Sequence, residues 1–299
     1  MTTEDFRCGY AAIVGRPNVG KSTLLNALLG TKLSIVSPRP QTTRHRILGI
    51  LTTARAQILF VDTPGLHRRR ARAMHQFMNR AAAASLADAD VALMVNEALE
   101  WTDEDEAVLR RIEASGVATL LVVNKVDRVS PKTRLLPFLE QVAARGSFGE
   151  VVPVSALKGT NVDALPGLIV DRLPRAPALF PADQLTDRSM RFIAAEIVRE
   201  KLIWRLRDEL PYGLSVEIER YEEAAGGVLI GAVIWVERPG QKAIVIGKGG
   251  ELLKNAGRAA RLDLKARLDR PVRLELWVKV KENWSDNERA LRDFGYGSE

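Results

Sequence analysis

Apolar and polar positions alternate in blocks along the first part of the chain, as is typical of strands separated by helices. Six short apolar runs predict strands, and most of the intervals between them show helical periodicity. The predicted strands are Tyr10–Val14, Ile47–Leu51, Ile58–Val61, Val91–Val95, Val117–Val123 and Val151–Val154. The predicted helices are Lys21–Leu29, Ala71–Ala87, Glu104–Glu113 and Lys132–Ala144. This alternation predicts an α/β domain with a mostly parallel sheet covered on both faces. The short link Thr52–Ala54 predicts a hairpin that makes one strand antiparallel.

A cluster of prolines then interrupts the pattern, at Pro174, Pro177 and Pro181. We place the domain boundary there, with a first domain over residues 1–175, a linker over 176–185 and a second domain over 186–299. In the second domain the pattern predicts the order helix, strand, strand, helix, helix, strand, which indicates an α+β fold. These elements are Arg188–Arg207, Leu214–Glu219, Val228–Glu237, Ala243–Ile246, Glu251–Leu268 and Val272–Val280.

The composition agrees with two globular domains in 299 residues, because 46% of the residues are hydrophobic and 27% are charged. The single cysteine, Cys8, excludes an intramolecular disulfide, and the polar first residues do not resemble a secretory or transit peptide. No apolar run approaches the roughly 18–20 residues that a membrane-spanning helix needs. We therefore expect a cytoplasmic protein.

The net charge of +7 is unevenly distributed. Residues 238–281 contain 12 Lys and Arg but only 4 Asp and Glu. A basic segment of this kind indicates a polyanion-binding surface, although charge alone is equally compatible with an ordinary solvated face.

A glycine-rich segment follows the first predicted strand and opens the first predicted helix. Residues 15–22, GRPNVGKS, match the pattern G-x-x-x-x-G-K-[ST] in that context. The glycines let backbone N–H groups surround phosphates, and the helix N-terminus adds partial positive charge. Lys21 would reach the outer phosphates, and the Ser22 hydroxyl would bind Mg²⁺. The predicted nucleotide-binding residues of this loop are Gly15, Asn18, Val19, Gly20, Lys21, Ser22 and Thr23.

A second polar segment, residues 124–127 with the sequence NKVD, follows the fifth predicted strand. A carboxylate at Asp127 can accept two hydrogen bonds from guanine that adenine cannot donate. Adenine would leave a buried carboxylate unpaired, at a cost of about 1–3 kcal/mol or more. The segment matches the guanine-recognition motif of GTPases, and residues 155–157, SAL, resemble their second base-contacting loop. The predicted base-contacting residues are Asn124, Lys125, Asp127, Ser155, Ala156 and Leu157, and GTP and GDP are the expected ligands.

Together these motifs resemble those of P-loop GTPases, and the resemblance assigns roles to two further segments. It implies that Asp62 holds Mg²⁺ through water and that the Gly65 N–H meets the γ-phosphate. The sequence of residues 62–65, DTPG, also suits a plain β-turn. GTPases carry a threonine between the first helix and the second strand that binds Mg²⁺ only in the triphosphate state, and we favour Thr43, with Thr42 as the alternative. The predicted catalytic residues are Lys21, Thr43, Asp62 and Gly65, and the predicted Mg²⁺ ligands are Ser22, Thr43 and Asp62.

One departure from Ras-like enzymes bears on the rate of hydrolysis. Where those enzymes have a glutamine that orients the attacking water, this chain has Leu66, so we expect slow intrinsic hydrolysis or help from another group. Asn18 resembles an asparagine that helps to hold a potassium ion beside the phosphates in a subset of P-loop GTPases. Such an ion would supply positive charge to the transition state.

The glycine loop of the second domain, residues 247–250 with the sequence GKGG, lies between two predicted helices. It resembles the G-x-x-G loop of KH domains, which clamps the backbone of about four single-stranded nucleotides. A lone G-x-x-G can also be a simple turn between helices, but the predicted element order and the basic segment favour RNA binding. We expect Ile244, Val245 and Ile246 to form core or the floor of the groove. The predicted RNA-binding residues are Lys242, Gly247, Lys248, Gly249, Gly250, Lys254, Arg258 and Arg261.

A P-loop GTPase domain followed by a type II KH domain resembles the Era family of bacterial ribosome-assembly GTPases. The resemblance covers nearly the whole chain, over Gly15–Ser22, Gln41–His45, Asp62–His67, Asn124–Asp127, Thr186–Lys201, Val216–Arg220, Gly247–Gly250, Leu274–Lys281 and Trp284–Arg292. It implies binding to the 3′ end of small-subunit ribosomal RNA, a role in 30S subunit maturation, and partial association with the inner membrane. We expect a monomer.

Two other functions compete with a nucleotide-driven RNA-binding switch. The chain could be an RNA clamp for which the nucleotide is a structural ligand, or another translation-linked GTPase with a different partner. The intact nucleotide-site residues favour the switch over the first of these, and the KH-like segment favours it over the second.

Overall fold

The structure is a computed structural model that describes residues 5–65, 73–206 and 213–296. The described residues form two units. The first unit contains residues 5–36, 43–65 and 75–187, and the second contains residues 37–42, 73–74, 188–206 and 213–296. The residues predicted as a linker therefore group with the first unit, and the short loop segment Ser37–Thr42 groups with the second.

The first unit alternates strands and helices, as the hydrophobic pattern predicts. Its elements are β1 Arg7–Val14, α1 Lys21–Leu29, β2 Ile47–Thr52, β3 Ala56–Asp62, α2 Ala73–Ala87, β4 Val91–Glu97, α3 Asp103–Ser115, β5 Ala118–Asn124, α4 Leu135–Ala143, β6 Glu150–Pro153 and α5 Leu165–Val170. The sequence pattern did not predict α5, which is only six residues long and contains Pro166 and Gly167.

These six strands form one sheet in the order β2-β3-β1-β4-β5-β6. Only the β2–β3 pair is antiparallel, which confirms the predicted hairpin and the mostly parallel sheet. Every residue of β3 is buried, because the sheet is covered on both faces. The carboxyl ends of parallel strands meet at one edge of such a sheet, where ligands bind.

The chain after α5 is held against this sheet by hydrogen bonds to one buried side chain and to the backbone. Gln57 of β3 is fully buried, and its Oε1 accepts the N–H groups of Leu179 at 2.8 Å and Phe180 at 2.9 Å. Its Nε2 donates to the Phe180 carbonyl at 2.8 Å. Farther along, the Ile50 N–H donates to the Leu185 carbonyl at 2.9 Å. These bonds explain why the segment predicted as a linker belongs to the first unit.

The second unit has the predicted helix–strand–strand–helix–helix–strand order. Its elements are α6 Met190–Ile203, β7 Leu214–Ala224, β8 Gly227–Val236, α7 Pro239–Ile246, α8 Glu251–Leu268, β9 Val272–Val280 and α9 Glu288–Asp293. The sheet order is β7-β8-β9, with β7 and β8 antiparallel and β8 and β9 parallel. The short terminal helix α9 was not predicted. The α/β fold of the first unit and the α+β fold of the second are thus as predicted.

The longest helix of the described ranges, α8, has 18 residues and several charged side chains. Among residues 5–65, 73–206 and 213–296, no helix combines the length and the apolar character needed to cross a bilayer.

Candidate nucleotide site and RNA-binding loop

The predicted phosphate loop joins β1 to α1 in a backbone conformation that needs its glycines. Gly15, Asn18 and Gly20 have φ angles of +156°, +64° and +101°. A Cβ on Gly15 would lie 2.4 Å from the Val95 carbonyl oxygen, so only glycine fits the turn there. The loop therefore leads directly into the N-terminus of α1, where backbone N–H groups and the helix dipole favour an anion.

Lys21 is the first residue of α1, and its ammonium group lies inside this loop. Its Nζ donates to the carbonyls of Gly15 at 3.0 Å and Arg16 at 2.8 Å, and the side chain is buried. Burial lowers the pKa of Lys21 to about 8, and nearby Asp62 offsets part of this effect. An anion bound in the loop would favour the charged form, so this lysine is suited to phosphate.

Three oxygen-bearing side chains predicted as Mg²⁺ ligands lie together beside Lys21. Ser22 Oγ donates to Asp62 Oδ2 at 2.7 Å, and its oxygen lies 2.7 Å from the Thr43 hydroxyl. Because the single Ser22 proton goes to Asp62, Thr43 is the donor in the second bond. Thr43 and Asp62 are both buried.

The Asp62 carboxyl group has unused capacity for a cation. Its Oδ1 is buried and has no hydrogen-bond partner among the described residues. Burial raises the pKa of Asp62, and the hydrogen bonds from Ser22 and Ser34 and the charge of Lys21 oppose that rise. Hydroxyl and carboxylate oxygens are the ligands that Mg²⁺ takes in proteins, so this cluster fits the ion that the sequence implies.

Thr42, the alternative to Thr43, uses its hydroxyl within its own loop. Thr42 Oγ1 donates to the Arg39 carbonyl at 2.7 Å and lies 2.5 Å from Ser37 Oγ. The structure therefore brings Thr43, and not Thr42, into hydrogen-bond contact with Ser22.

Asn124 joins the phosphate loop to both predicted base-contacting segments. Its Nδ2 donates to the Val19 carbonyl at 2.8 Å, and its Oδ1 accepts the Ala156 N–H at 3.0 Å. A Cβ on Gly20 would lie only 2.3 Å from Asn124 Nδ2, so a glycine is needed at position 20 for this close approach. Asn124 thus links the phosphate loop to the two segments that are predicted to contact the base.

Asp127 is held by the neighbouring loop but is not buried. Its Oδ1 accepts a hydrogen bond of 2.6 Å from Ser155 Oγ, and Ser155 is fully buried. The predicted selectivity for guanine rests on a buried carboxylate, and that burial is wrong for the protein alone, since Asp127 is exposed. Leu157 is also exposed, at 69%. A base lying between these side chains would itself have to exclude water from Asp127.

Several side chains that support the site were not found from the sequence. Ser34 is fully buried and donates to Asp62 Oδ2 at 3.0 Å. Glu97 accepts a hydrogen bond of 2.5 Å from Lys125 Nζ. Asp105, fully buried, accepts from Arg16 Nε at 3.1 Å. No sequence signal marks Ser34 or Glu97, whereas Asp105 could have been noticed as the partner of the helix-capping residue Thr102.

Gly65 lies against the phosphate loop. A Cβ there would be 3.0 Å from the Pro17 backbone, so a larger residue would crowd the loop. The next residue, Leu66, on which the expectation of slow hydrolysis rests, lies outside the described residues.

The glycine loop of the second unit lies between α7 and α8, as predicted. Gly247, Gly249 and Gly250 have φ angles of +76°, +61° and +79°. No atom within 4 Å would contact a Cβ on Gly249 or Gly250, so their surface is open to a ligand. The basic side chains predicted to contact RNA are exposed, at Lys242, Lys248, Lys254, Arg258 and Arg261.

Positions 254, 258 and 261 share one face of α8, because residues three and four apart are neighbours on a helix. The residues Ile244 to Ile246, expected to form core or the floor of the groove, differ in burial. Val245 is fully buried, whereas Ile244 is 51% exposed and is not a core residue.

Comparison with known proteins finds matches to both units. The family model described as 50S ribosome-binding GTPase matches residues 10–125, and the KH domain model matches residues 209–285. GTPase Era of Xanthomonas axonopodis pv. citri is 55% identical over 294 residues, with 98% of both chains covered. GTPase Era of Pseudomonas aeruginosa is 53% identical over 291 residues, covering 97% of this chain and 95% of that protein.

The chain belongs to the Era GTPase family. Solved Era structures agree in fold over the full length. An Aquifex aeolicus Era variant bound to GDP and AlF₄⁻ has a TM-score of 0.94 and 42% identity, covering 98% of this chain and 100% of that one. Era in complex with MgGDPNP and nucleotides 1506–1542 of 16S ribosomal RNA also has a TM-score of 0.94, with 41% identity and the same coverage. The chain is therefore a GTPase with the Era domain arrangement.

Proposed function

We propose that this Era-family GTPase is a switch whose nucleotide state controls binding of its KH domain to the 3′ end of 16S ribosomal RNA, and that it assists maturation of the 30S subunit. The observation that carries the proposal is the cluster of Ser22, Thr43 and Asp62, in which the Ser22 oxygen lies 2.7 Å from each of the other two. A threonine held there can respond to the γ-phosphate, which distinguishes GTP from GDP.

The nucleotide-site residues take the following roles in this proposal. The amides of the phosphate loop and Lys21 bind the phosphates, and Asp127 with Ser155 selects guanine. Ser22 and Thr43 bind Mg²⁺ directly, and Asp62 holds it through water. The ion, when bound, supplies positive charge to the phosphate oxygens. Gly65, lying against Pro17, directs its N–H to the γ-phosphate.

The RNA-binding role is supported by the conformation and charge of the loop in the second unit. Three glycines with positive φ open the backbone between α7 and α8, and exposed cations flank it. A solved relative, 41% identical, is bound to nucleotides 1506–1542 of 16S ribosomal RNA. We infer that Gly247–Gly250 contacts the sugar-phosphate backbone, and that Lys242, Lys248, Lys254, Arg258 and Arg261 bind phosphates.

The decisive experiment measures RNA affinity in two nucleotide states. Filter binding of an RNA with the sequence of the 16S 3′ end is carried out with a non-hydrolysable GTP analogue and then with GDP. We expect a clear difference in affinity between the two. Equal affinities would contradict the switch.

A charge-matched pair of variants tests the loop itself. Gly249→Asp combined with Gly250→Asp places negative charge against phosphate and should weaken RNA binding. Gly249→Asn combined with Gly250→Asn is the control, because asparagine has nearly the same shape and also tolerates positive φ. Equal binding by both pairs and the wild type would remove the loop from the RNA site.

The variant Lys21→Ala distinguishes the switch from the competing function, an RNA clamp whose nucleotide is only a structural ligand. If this variant lost GTP hydrolysis but kept wild-type RNA binding and supported growth, the clamp would be favoured over the switch.

Slow intrinsic hydrolysis and a potassium ion near Asn18 complete the proposal. Asn18 is exposed and has a left-handed φ of +64°, in the phosphate loop itself. Replacing potassium with sodium should slow hydrolysis, and equal rates would exclude the ion. The monomeric state, the cytoplasmic location, the peripheral membrane association and the domain limits remain predictions.

A further inference from the structure

The end of β4 carries an acidic side chain for which the proposed function has no role. Glu97 is the last residue of β4, and its Oε2 accepts a hydrogen bond of 2.5 Å from Lys125 Nζ. Lys125 directly follows β5 and is one of the predicted base-contacting residues. The Glu97 and Lys125 side chains are only 22% and 18% exposed, so this ion pair is screened less than one at the open surface.

Two hydrogen bonds fix the turn from which Glu97 projects. The Ala98 N–H donates to the carbonyl of Asn124, the last residue of β5, at 2.8 Å. Asn96 is fully buried, and its Nδ2 donates to the Glu100 carbonyl at 3.2 Å, which closes the turn. The turn therefore holds Glu97 at one place relative to the segment that is predicted to bind guanine.

The same turn is tied to the phosphate loop through Arg16. Arg16 Nη2 lies 2.8 Å from Glu100 Oε2 and 3.9 Å from Glu97 Oε2. Arg16 Nε donates to Asp105 Oδ2 at 3.1 Å, and Asp105 is fully buried in the first turn of α3. The turn thus contacts both the phosphate loop and the guanine segment, and all of these residues belong to the first unit.

Attraction to the nucleotide does not account for a carboxylate at this place. Glu97 is negative, as phosphates are, so its charge by itself disfavours a nucleotide in the neighbouring loop. An ion pair that is still partly exposed also contributes little to the stability of the fold. The pair does fix the position of the Lys125 ammonium. A free lysine side chain has many rotamers, and ordering them at the moment of binding lowers affinity.

We propose that Glu97 is a positioning residue that holds the Lys125 side chain in one conformation, so that its aliphatic stem forms a preorganised apolar surface for the guanine ring. This inference rests on the predicted contact between Lys125 and the base. Glu97 then raises the affinities for GDP and for GTP by the same factor, because both nucleotides have the same base.

The test measures the affinities of the full chain for GDP and for a non-hydrolysable GTP analogue by titration calorimetry. Glu97→Gln should lower both affinities on the order of fivefold, because Lys125 must then be ordered on binding. The sign of the change is informative, since loss of a nearby negative charge alone would raise the affinity for a polyanion. Unchanged or raised affinities, or a loss confined to one of the two nucleotides, would overturn the proposal.

Glu104→Gln is the charge-matched control. It removes one negative charge from the first turn of α3. Glu104 pairs with neither Arg16 nor Lys125, whose carboxylate partners among the described residues are other side chains. Its nucleotide affinities should match those of the wild type. A loss equal to that of Glu97→Gln would show that charge, and not the contact with Lys125, is responsible, and would overturn the proposal.

A double-mutant cycle tests whether Glu97 acts through Lys125. Lys125→Met keeps an apolar stem but removes the ammonium group, so it should lose about as much affinity as Glu97→Gln. The two changes together should lose no more than Lys125→Met alone. Additive losses, or wild-type affinity of Lys125→Met, would overturn the proposal. If circular dichroism shows that Glu97→Gln does not fold, Glu97→Asp replaces it, because aspartate keeps the charge but is too short for the same contact.

This readout needs no RNA. If the wild type bound RNA equally well with the analogue and with GDP, the proposed switch would fail. The nucleotide affinities of the Glu97 and Lys125 variants would still decide the role of Glu97.

Discussion

The side-chain amide of Asn124 donates to the Val19 carbonyl at 2.8 Å, which ties the base-contacting end of β5 to the phosphate loop after β1. The two segments lie 105 positions apart in the chain. Since Asn124 also accepts the Ala156 N–H, one amide group determines the spacing of three loops. Nucleotide affinity should therefore depend on contacts that need not touch the nucleotide.

The close approach of Asn124 to Gly20 predicts that Gly20→Ala severely weakens guanine-nucleotide binding. The added methyl group would lie 2.3 Å from Asn124 Nδ2, and alanine is also strained at φ +101°. Gly30→Ala is the control, because Gly30 has a φ of +63° but no atom within 4 Å of a Cβ. It should cost only the backbone strain of about 1–2 kcal/mol in the free energy of unfolding, with unchanged affinity. Titration calorimetry with GDP measures the affinities, and similar affinity losses in both variants would contradict the role of the contact.

The oxygen cluster predicts different outcomes for two adjacent threonines. Thr43→Ala should lower the Mg²⁺-dependent affinity for a GTP analogue on the order of tenfold and leave GDP binding unchanged. Thr42→Ala removes a hydroxyl that is bonded within its own loop, to Arg39 and Ser37, so its effect should be smaller. Fluorescent-nucleotide titration of both variants checks this order. A larger effect of Thr42→Ala would assign the Mg²⁺ ligand to Thr42.

The lowered pKa of Lys21, about 8, predicts that nucleotide binding takes up a proton in mildly alkaline buffer. Phosphate favours the ammonium form, so binding raises this pKa. At about pH 8 roughly half of the free protein must gain a proton on binding, and affinity should fall as the pH rises further. Calorimetry of GDP binding without magnesium, in two buffers of different ionisation enthalpy, measures the uptake. It should be small near about pH 7 and larger near about pH 9; heats independent of the buffer would exclude it.

Replacing Gln57 should lower the stability of the first unit without directly affecting the nucleotide site. Gln57→Leu would leave the N–H groups of Leu179 and Phe180 without their acceptor. An unpaired group costs about 1–3 kcal/mol when it is fully buried, and these two N–H groups are only partly buried, so we expect a loss of about 1–3 kcal/mol in total in the free energy of unfolding of the first unit. Urea unfolding measures the loss. Gln141→Leu, at an exposed position of α4, is the control and should change this free energy by less than about 0.5 kcal/mol. Equal stabilities of the two variants would show that the segment is held by other contacts.

The strands and helices could be predicted because each is a local pattern. The predicted bounds of α1 and β9 agree with the structure to the residue. A helical periodicity of apolar residues marks α1, and a short run of strand-forming residues marks β9. The helices α5 and α9 were missed because each has only six residues, too few for a periodic signal. The burial of Asp127 was predicted wrongly, since exposure depends on what surrounds a side chain in space.

The sequence by itself determined the type of site, because phosphate and guanine recognition need particular residues at short, fixed spacings. Lys21, Ser22 and Asp127 could be assigned to chemistry from such motifs. Only the tertiary structure decided which distant groups support them. Ser34 donates to Asp62, and Glu97 accepts from Lys125. These partners have no motif, because their pairing depends on how separate elements pack and not on spacing along the chain.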